Sequence, residues 1–280
     1  MASMTHSSLP LVFLCSLFCV IFSSFCYCKS LSSVTIDSLR ASLEKQEDFI
    51  VFSLIERARY PYNSFAYDPS FLGNQNCSFV ELFVRETEAM EARFGRYQNP
   101  EELPFFPDYA QPPLAPPHRF PNILHPPGAS VNVSRRIWDM YFNDLLPLFT
   151  KKADDRNYQQ TVASDLICLQ ALSRRIHSGR FVAEIKFRDS PQNYIPAIQA
   201  KDSETLMKLL TFTSVEEAVV KRVFKKAEIF GQNVNLGKNN VKEAESKYKV
   251  EPSVAAKLYQ EWVIPFTKQV EVGYLLRRLI

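Results

Sequence analysis

An all-α fold, a single helical-bundle domain carrying one extended proline-rich connection, follows from three features of this 280-residue sequence. Apolar residues recur at three- and four-residue spacing through most of the chain. Sustained period-two alternation is absent. Ten of the 18 prolines crowd into residues 100–127. Helical spacing gives each segment one apolar stripe to bury, whereas strands would alternate and mark their hairpins with Asn-Gly or Asp-Gly.

The first helix is expected over 35–60, where Ile36, Leu39, Leu43, Ile50, Phe52, Leu54 and Ile55 fall at helical spacing. Thr35 or Asp37 offers its N-cap. Pro61 and the Asn/Asp/Pro-rich stretch to Gly73 form a loop, and a second helix runs from Ser78 to Phe94. No helix survives the proline density of 100–127, since each proline lacks an amide donor and fixes φ. That stretch is an extended, rigid connection over the surface. Periodicity returns over 134–150, with Pro147 tolerated near its end. A polar break at 151–160 precedes the densest helix, 161–187. Shorter helices follow at 191–200 and 202–211, then a long one at 213–230. Polar residues 231–249 read as a flexible loop before a final helix, 252–279.

Composition narrows the function. Only 7 glycines argue against Rossmann or P-loop architectures, which spend glycine at phosphate turns. A formal charge of +3 with scattered lysines and arginines argues against a nucleic-acid partner. No GxGxxG, Walker, HExxH or paired CxxC pattern is present, so the chemistry falls to ordinary side chains.

Residues 1–28 carry no Lys, Arg, Asp or Glu, and Leu9 to Phe22 is almost continuously apolar. This reads as a cleaved secretory signal peptide, ending near Cys26-x-Cys28, ahead of a domain over 29–280. The expected destination is the secretory pathway or the exterior, with no membrane association after cleavage. Alternatives are an uncleaved anchor, since the run is just long enough to span a bilayer, or a cytoplasmic or plastid protein. Cleavage leaves only Cys77 and Cys168, too few for a disulfide scaffold, and Cys168 sits in an apolar helical context that suggests burial. Under export, Asn76-Cys77-Ser78 and Asn132-Val133-Ser134 become glycosylation sequons.

Arg175 and Lys186, 11 residues apart, differ by about 20° around a continuous helix and by about 16 Å along it. They share a face, with the small-sided positions Gly179 and Val182 between them. Two cations could converge there on a small dianion, although a solvated basic face is the commoner origin of such spacing. Thr267 and Glu271 share a face at i, i+4, and Glu271 either serves a site or pairs with Lys268 or Arg277. His177 lacks a nucleophile partner and is better read as packing or capping locally. Trp138 and Trp262 read as core aromatics.

These same segments resemble the eukaryotic chorismate mutases, and the plant members most closely. The matching stretches are Ile36-Asp-Ser-Leu-Arg40, Gln46-Glu-Asp48, Phe52-Ser-Leu-Ile-Glu-Arg57, Pro104-Phe-Phe-Pro-Asp108, Leu169-Gln-Ala-Leu-Ser-Arg-Arg-Ile-His177, Gly179-Arg-Phe-Val-Ala-Glu184, Val215-Glu-Glu217 and Tyr274-Leu-Leu-Arg-Arg-Leu279. The resemblance covers residues 34 to 279. It implies the family's all-helical homodimer, chorismate as substrate, no cofactor, and catalytic helices at 35–60, 161–187, 213–230 and 252–279. The family's catalytic set falls on Arg40, Arg175, Lys186, Glu216, Thr267 and Glu271.

The residue types suit the chemistry. Chorismate is a dianion that undergoes an intramolecular [3,3] shift, helped by holding the reactive conformer and stabilising charge on the breaking ether oxygen. Guanidiniums of Arg40 and Arg175 suit the two carboxylates, and Lys186 suits the ether oxygen. Glu216 would accept from the ring hydroxyl, and Thr267 would support a carboxylate. Glu271 helps only when protonated and donating; plant relatives often carry glutamine there, so activity rising toward acidic pH is expected. In regulated members a Gly-Ser pair and a threonine open the long helix, within a regulatory-type region at 95–165. Here those positions are Gln159, Gln160 and Ala163, and the facing arginine pair is reduced to Gly95-Arg96. Weak or absent response to Phe, Tyr and Trp is expected. The rival reading is a catalytically silent helical binding protein on the same fold, for which Gly273, commonly glutamate in relatives, leaves room.

Overall fold

A computed structural model describes residues 35–73, 76–114, 116–118, 120–233 and 247–280. Among them there is no strand, and one isolated antiparallel bridge joins Gln232 to Tyr248. The all-helical expectation holds. The leader expected over 1–28 and the central part of the 231–249 loop lie outside the described residues. Among the described residues no helix is long and apolar enough to cross a membrane.

Among the described residues nine longer helical segments organise the domain. Short helical turns also occur at Ser64–Tyr67, Arg96–Gln98, Pro107–Tyr109 and Pro126–Ala129. The last two open on prolines inside the connection expected to hold no helix, because a first-turn proline gives up no helical hydrogen bond. Helix α1 (Ile36–Arg57) opens on a capping box in which Thr35 and Ser38 each satisfy the other's amide. Helix α2 (Phe79–Arg93) is capped by Ser78, whose hydroxyl accepts from the Glu81 amide. Helix α3 (134–149) and the last helix, α9 (252–275), each contain one π-helical turn, Tyr141–Leu145 and Tyr259–Val263. Both turns end two residues before a proline, Pro147 and Pro265. A proline in a helix interior has no N–H for the bond to residue i−4, and its ring clashes with that carbonyl. A widened turn relieves the clash and adds a residue to the helix.

Between them run α4 (Tyr158–His177), α5 (Gly179–Asp189), α6 (Pro191–Gln199), α7 (Ser203–Leu210) and α8 (Thr213–Phe230). The single helix expected over 161–187 is therefore two, divided at Ser178, and the helix expected to reach 279 ends at Leu275. Apolar spacing continues through Ser178, which is why it conceals the division. Helix α1 packs along α4, α5 along α9, and α8 along the start of α9. One core gathers Ile50, Leu54, Val84, Ile137, Tyr141, Leu169, Leu172 and Val263; Trp138 and Trp262 pack partly buried against it. A second gathers Leu124, Phe181, Phe187, Ile198, Leu206 and Leu275. Cys168 is fully buried, and burial pushes its thiol up to about 12.

Polar groups buried in the first core are mutually satisfied. Arg57 and Asp165, both fully buried, pair at 2.6 Å, and the Tyr67 and Tyr141 hydroxyls donate to the same carboxylate at 2.7 and 2.8 Å. Glu88 straps the proline-rich connection down by accepting from the Phe105 and Phe106 amides at 3.0 Å. His177 is fully buried: its Nε2 accepts from the Val133 amide at 2.9 Å while Nδ1 lies 2.8 Å from the Ser173 carbonyl. Burial, then the nearby Arg180 charge, push its pKa down to about 3. It packs as a buried neutral side chain, in line with the packing or capping role expected for it.

Candidate active site

Stretches of α1, α4, α5, α8 and α9 line a cavity of about 610 Å³. Its walls mix apolar side chains, among them Leu39, Val182 and Val215, with charged ones. Arg40, Arg175, Lys186, Glu216, Thr267 and Glu271 all line it. The break at Ser178 does not separate Arg175 from Lys186, because Ser178 keeps right-handed helical torsions (φ −58°, ψ −17°) and both side chains line the same cavity.

Each side chain arrives by a traceable local cause. Arg175 lies in the last turn of α4 and is 6% exposed, with its guanidinium 5.9 Å from the Tyr259 ring centroid. Its Nη1 approaches the Thr267 hydroxyl at 3.5 Å, while Nε is buried without a hydrogen-bond partner. A buried guanidinium with spare donors is poised for a carboxylate. Thr267 is oriented by donating to the Val263 carbonyl at 2.7 Å, inside the π-helical turn. Gly179 is not the cavity floor that its spacing suggested. A Cβ there would stand 2.7 Å from the Thr267 carbonyl oxygen and 3.3 Å from Val270 Cβ. Glycine is what lets α5 approach α9 at this depth.

Lys186 and Glu271 meet across that contact at 2.9 Å, with side-chain exposures of 20% and 6%. Lys186 also sits 5.3 Å from the Phe212 ring centroid. Burial pushes the Glu271 carboxyl up; Lys186 and Arg175 pull it down, Glu216 pushes it up, and the net position is above the usual carboxylate range. Glu271 thus pairs with neither Lys268 nor Arg277, the two partners its sequence neighbourhood offered. Lys268 pairs instead with Glu216, in the first turn of α8, at 3.0 Å. Arg40 is the most exposed of the six, its side chain 59% accessible and 3.3 Å from Asp37.

Sequence reasoning missed one ionic group on the cavity wall. Glu47, 1% exposed on α1, receives Arg222 of α8 at 2.8 and 2.7 Å. Lys226 reaches the same carboxylate at 3.1 Å. Nothing local marks these residues, since the partners lie 175 positions apart.

The effector-type positions lie elsewhere. Gly95 adopts a left-handed φ of 85°, and Arg96 is engaged by Glu91 at 2.6 Å, Gln170 at 2.9 Å and Glu102 at 3.2 Å. Gln159 and Gln160 are exposed in the first turn of α4, with Ala163 half-buried one turn on.

Comparison with known proteins supplies the family. A profile described as chorismate mutase type II matches residues 157–272. The chain is 57% identical over 248 residues to "Chorismate mutase 2" of Arabidopsis thaliana, spanning 88% of this chain and 94% of that protein. The chain belongs to the chorismate mutase family of isomerases. It is also 53% identical to "Chorismate mutase 2, cytosolic" of Zea mays, over 88% of this chain and 96% of that one. A crystal structure of AtCM1 with phenylalanine bound in its allosteric site superposes with a TM-score of 0.80 at 46% identity, covering 90% of this chain and 99% of that one.

These relatives correct the expectation of export. Where the names of chorismate mutases similar to this chain specify a compartment, it is the cytosol or the chloroplast. An apolar run reports hydrophobicity, and without a basic flank it does not specify a destination. Asn76 and Asn132 are exposed, but their reading as glycosylation acceptors depended on export and lapses with it.

Proposed function

We propose that this chain rearranges chorismate to prephenate in the cavity between α1, α4, α5, α8 and α9, without a cofactor. The observation that carries the reading is convergence. Six residues of the types the reaction needs, drawn from five helices, line one cavity. Arg175, with its unpartnered Nε, and Arg40 at the rim hold the two carboxylates, and Thr267 supports the one on Arg175. Lys186 and protonated Glu271 face the ether oxygen whose bond to carbon breaks as the new carbon–carbon bond forms. Glu216 accepts from the ring hydroxyl. No proton changes hands in the rearrangement. The protein's contribution is to hold the reactive conformer and stabilise charge developing on oxygen.

The test is direct. Wild-type protein should consume chorismate and yield prephenate. Removing the guanidinium in Arg175→Ala forfeits one or two charge-assisted hydrogen bonds of ~1.5–3 kcal/mol each, or roughly 10- to 10⁴-fold in kcat/KM. Absence of prephenate, or a variant within a few-fold of wild type, would overturn the assignment.

The same reading extends to regulation and assembly over the regulatory-type region 95–165. Arg96 is committed to Glu91, Glu102 and Gln170, and Gln159, Gln160 and Ala163 replace the small and hydroxylated residues that a close-fitting amino acid needs. Response to Phe, Tyr and Trp is therefore weak, in contrast to the relative solved with phenylalanine in its allosteric site. A several-fold rate change at saturating effector refutes this. The family's homodimer is carried over with it, supported by exposed apolar side chains such as Phe94, 75% accessible. Sedimentation should report twice the 32.2 kDa chain mass.

A further inference from the structure

We infer that the Lys268–Glu216 ion pair makes this cavity selective for a substrate presenting a neutral hydroxyl at Glu216, and that it excludes the analogue carrying an amine in place of that ring hydroxyl. The inference rests on the cavity being the chorismate site.

Lys268 Nζ lies 3.0 Å from one Glu216 carboxylate oxygen and 3.1 Å from the other. It also donates to the Thr211 hydroxyl at 3.3 Å. The three residues come from three places: Lys268 from α9, Glu216 from the first turn of α8, and Thr211 from the segment joining α7 to α8. Lys268 and Glu216 both line the cavity, 18% and 26% exposed. Glu271, the other cavity carboxyl, feels the Glu216 charge and is itself held by Lys186 at 2.9 Å. Each of these two cavity carboxyls therefore carries its own lysine.

A lone carboxylate in a partly desolvated cavity prefers a cation to a neutral donor. An allylic amine is cationic at neutral pH, so an unpaired Glu216 would favour the amino analogue. Lys268 weakens that preference. The ionised carboxylate offers about four lone-pair positions, so it still accepts an O–H while bound to the lysine. A substrate ammonium at the same carboxylate would stand about 4–6 Å from Lys268 Nζ. Like-charge repulsion at that distance, with an effective dielectric near 20, cancels roughly half or more of the attraction to Glu216, and the ammonium must also shed its hydration to enter. Removing the lysine charge should therefore move the amine-to-hydroxyl ratio of kcat/KM toward the amine, by about 100-fold at that dielectric and by about ten-fold once solvent screens these partly exposed groups. Lys268 acts here through Glu216, as a specificity-determining residue.

The experiment measures kcat/KM for chorismate and for the amino analogue with wild type, Lys268→Met and Lys268→Arg. Wild type and Lys268→Arg should prefer chorismate, and Lys268→Met should shift the ratio toward the amine by at least about ten-fold. Because both substrates are run on one preparation, any loss of folded protein cancels in the ratio. If Lys268→Met turns over neither, calorimetric Kd values for the two ligands give the same comparison. A Lys268→Met ratio within about three-fold of wild type, or wild type handling both substrates equally, would overturn the inference. Failure of wild type to convert chorismate would instead sink the assignment of the cavity.

Discussion

Replacing Glu271 with glutamine separates a donor from a carboxylate at nearly constant shape. Glu271 is 4% exposed, and its carboxyl lies 2.9 Å from Lys186. Desolvation dominates there and holds the acid above the usual carboxylate range, although Lys186 and Arg175 oppose it. The sign follows directly. A raised carboxyl keeps its proton over a wider range, so donation is complete below its folded pKa and is lost as pH climbs through it. If one proton governs the rate, wild-type kcat/KM falls about ten-fold per pH unit above that point, or ~1.36 kcal/mol of barrier per unit. Glutamine donates an N–H at every pH. Its profile should be flat, and about two units above the Glu271 pKa it should have gained roughly 100-fold on wild type relative to their acid-side ratio. Prephenate formation followed from about pH 5 to 9 at constant ionic strength reads both curves. Parallel profiles, or two flat ones, would show that Glu271 does not act as a protonated donor.

Three further outcomes follow from packing and burial. Gly179→Ala places a methyl 2.7 Å from the Thr267 carbonyl, which should cost about 1–3 kcal/mol of stability and lower kcat/KM by roughly ten-fold or more as Thr267 and Glu271 draw back; thermal melts and kinetics on one preparation check both, and unchanged kinetics would show that the contact does not set the site. Asp165→Ala strands the fully buried Arg57 charge, and urea denaturation should show a loss of about 3–5 kcal/mol; a loss under about 1 kcal/mol would contradict the reading. His177 stays neutral in the fold with its pKa pushed down to about 3, whereas the unfolded chain takes up a proton below about 6.5. Stability from this group is therefore lost as pH falls, by ~2 kcal/mol between about pH 8 and 5. Glu88, pushed up to about 7 chiefly by burial, has the opposite sign over the same window. The comparison that isolates the histidine is accordingly wild type against His177→Gln, whose stabilities should converge by that amount on acidification.

Much of the fold is visible in local spacing. The apolar stripes of α1 and α4, the Thr35 cap and the proline crowding at 100–127 are short-range features, and a helix registers them within a few residues. The division at Ser178 is invisible to the same reasoning. Apolar spacing runs straight through it, and the demand for glycine at 179 comes from the Thr267 carbonyl on a distant helix. The π-helical turns left only an indirect local mark, the prolines at 147 and 265, and the second of them sits just ahead of Thr267 and Glu271. The apolar leader was legible as hydrophobic but not as to destination, and the compartments named for similar proteins overturned its reading as an export signal.

By itself the sequence determined the helical class and, through its resemblance, which six side chains to watch. Only the tertiary structure decided the partners of those that are buried or half-buried. Glu271 had Lys268 and Arg277 nearby in sequence and chose Lys186 from α5; Lys268 crossed instead to Glu216 of α8. Glu47 and Arg222 found each other with no local sign at all. The reason is one of range. Helix formation depends on contacts three and four residues apart, which a sequence displays. The charge state and hydrogen-bonding of a buried side chain depend on which helix faces meet, and that is settled by packing the whole bundle.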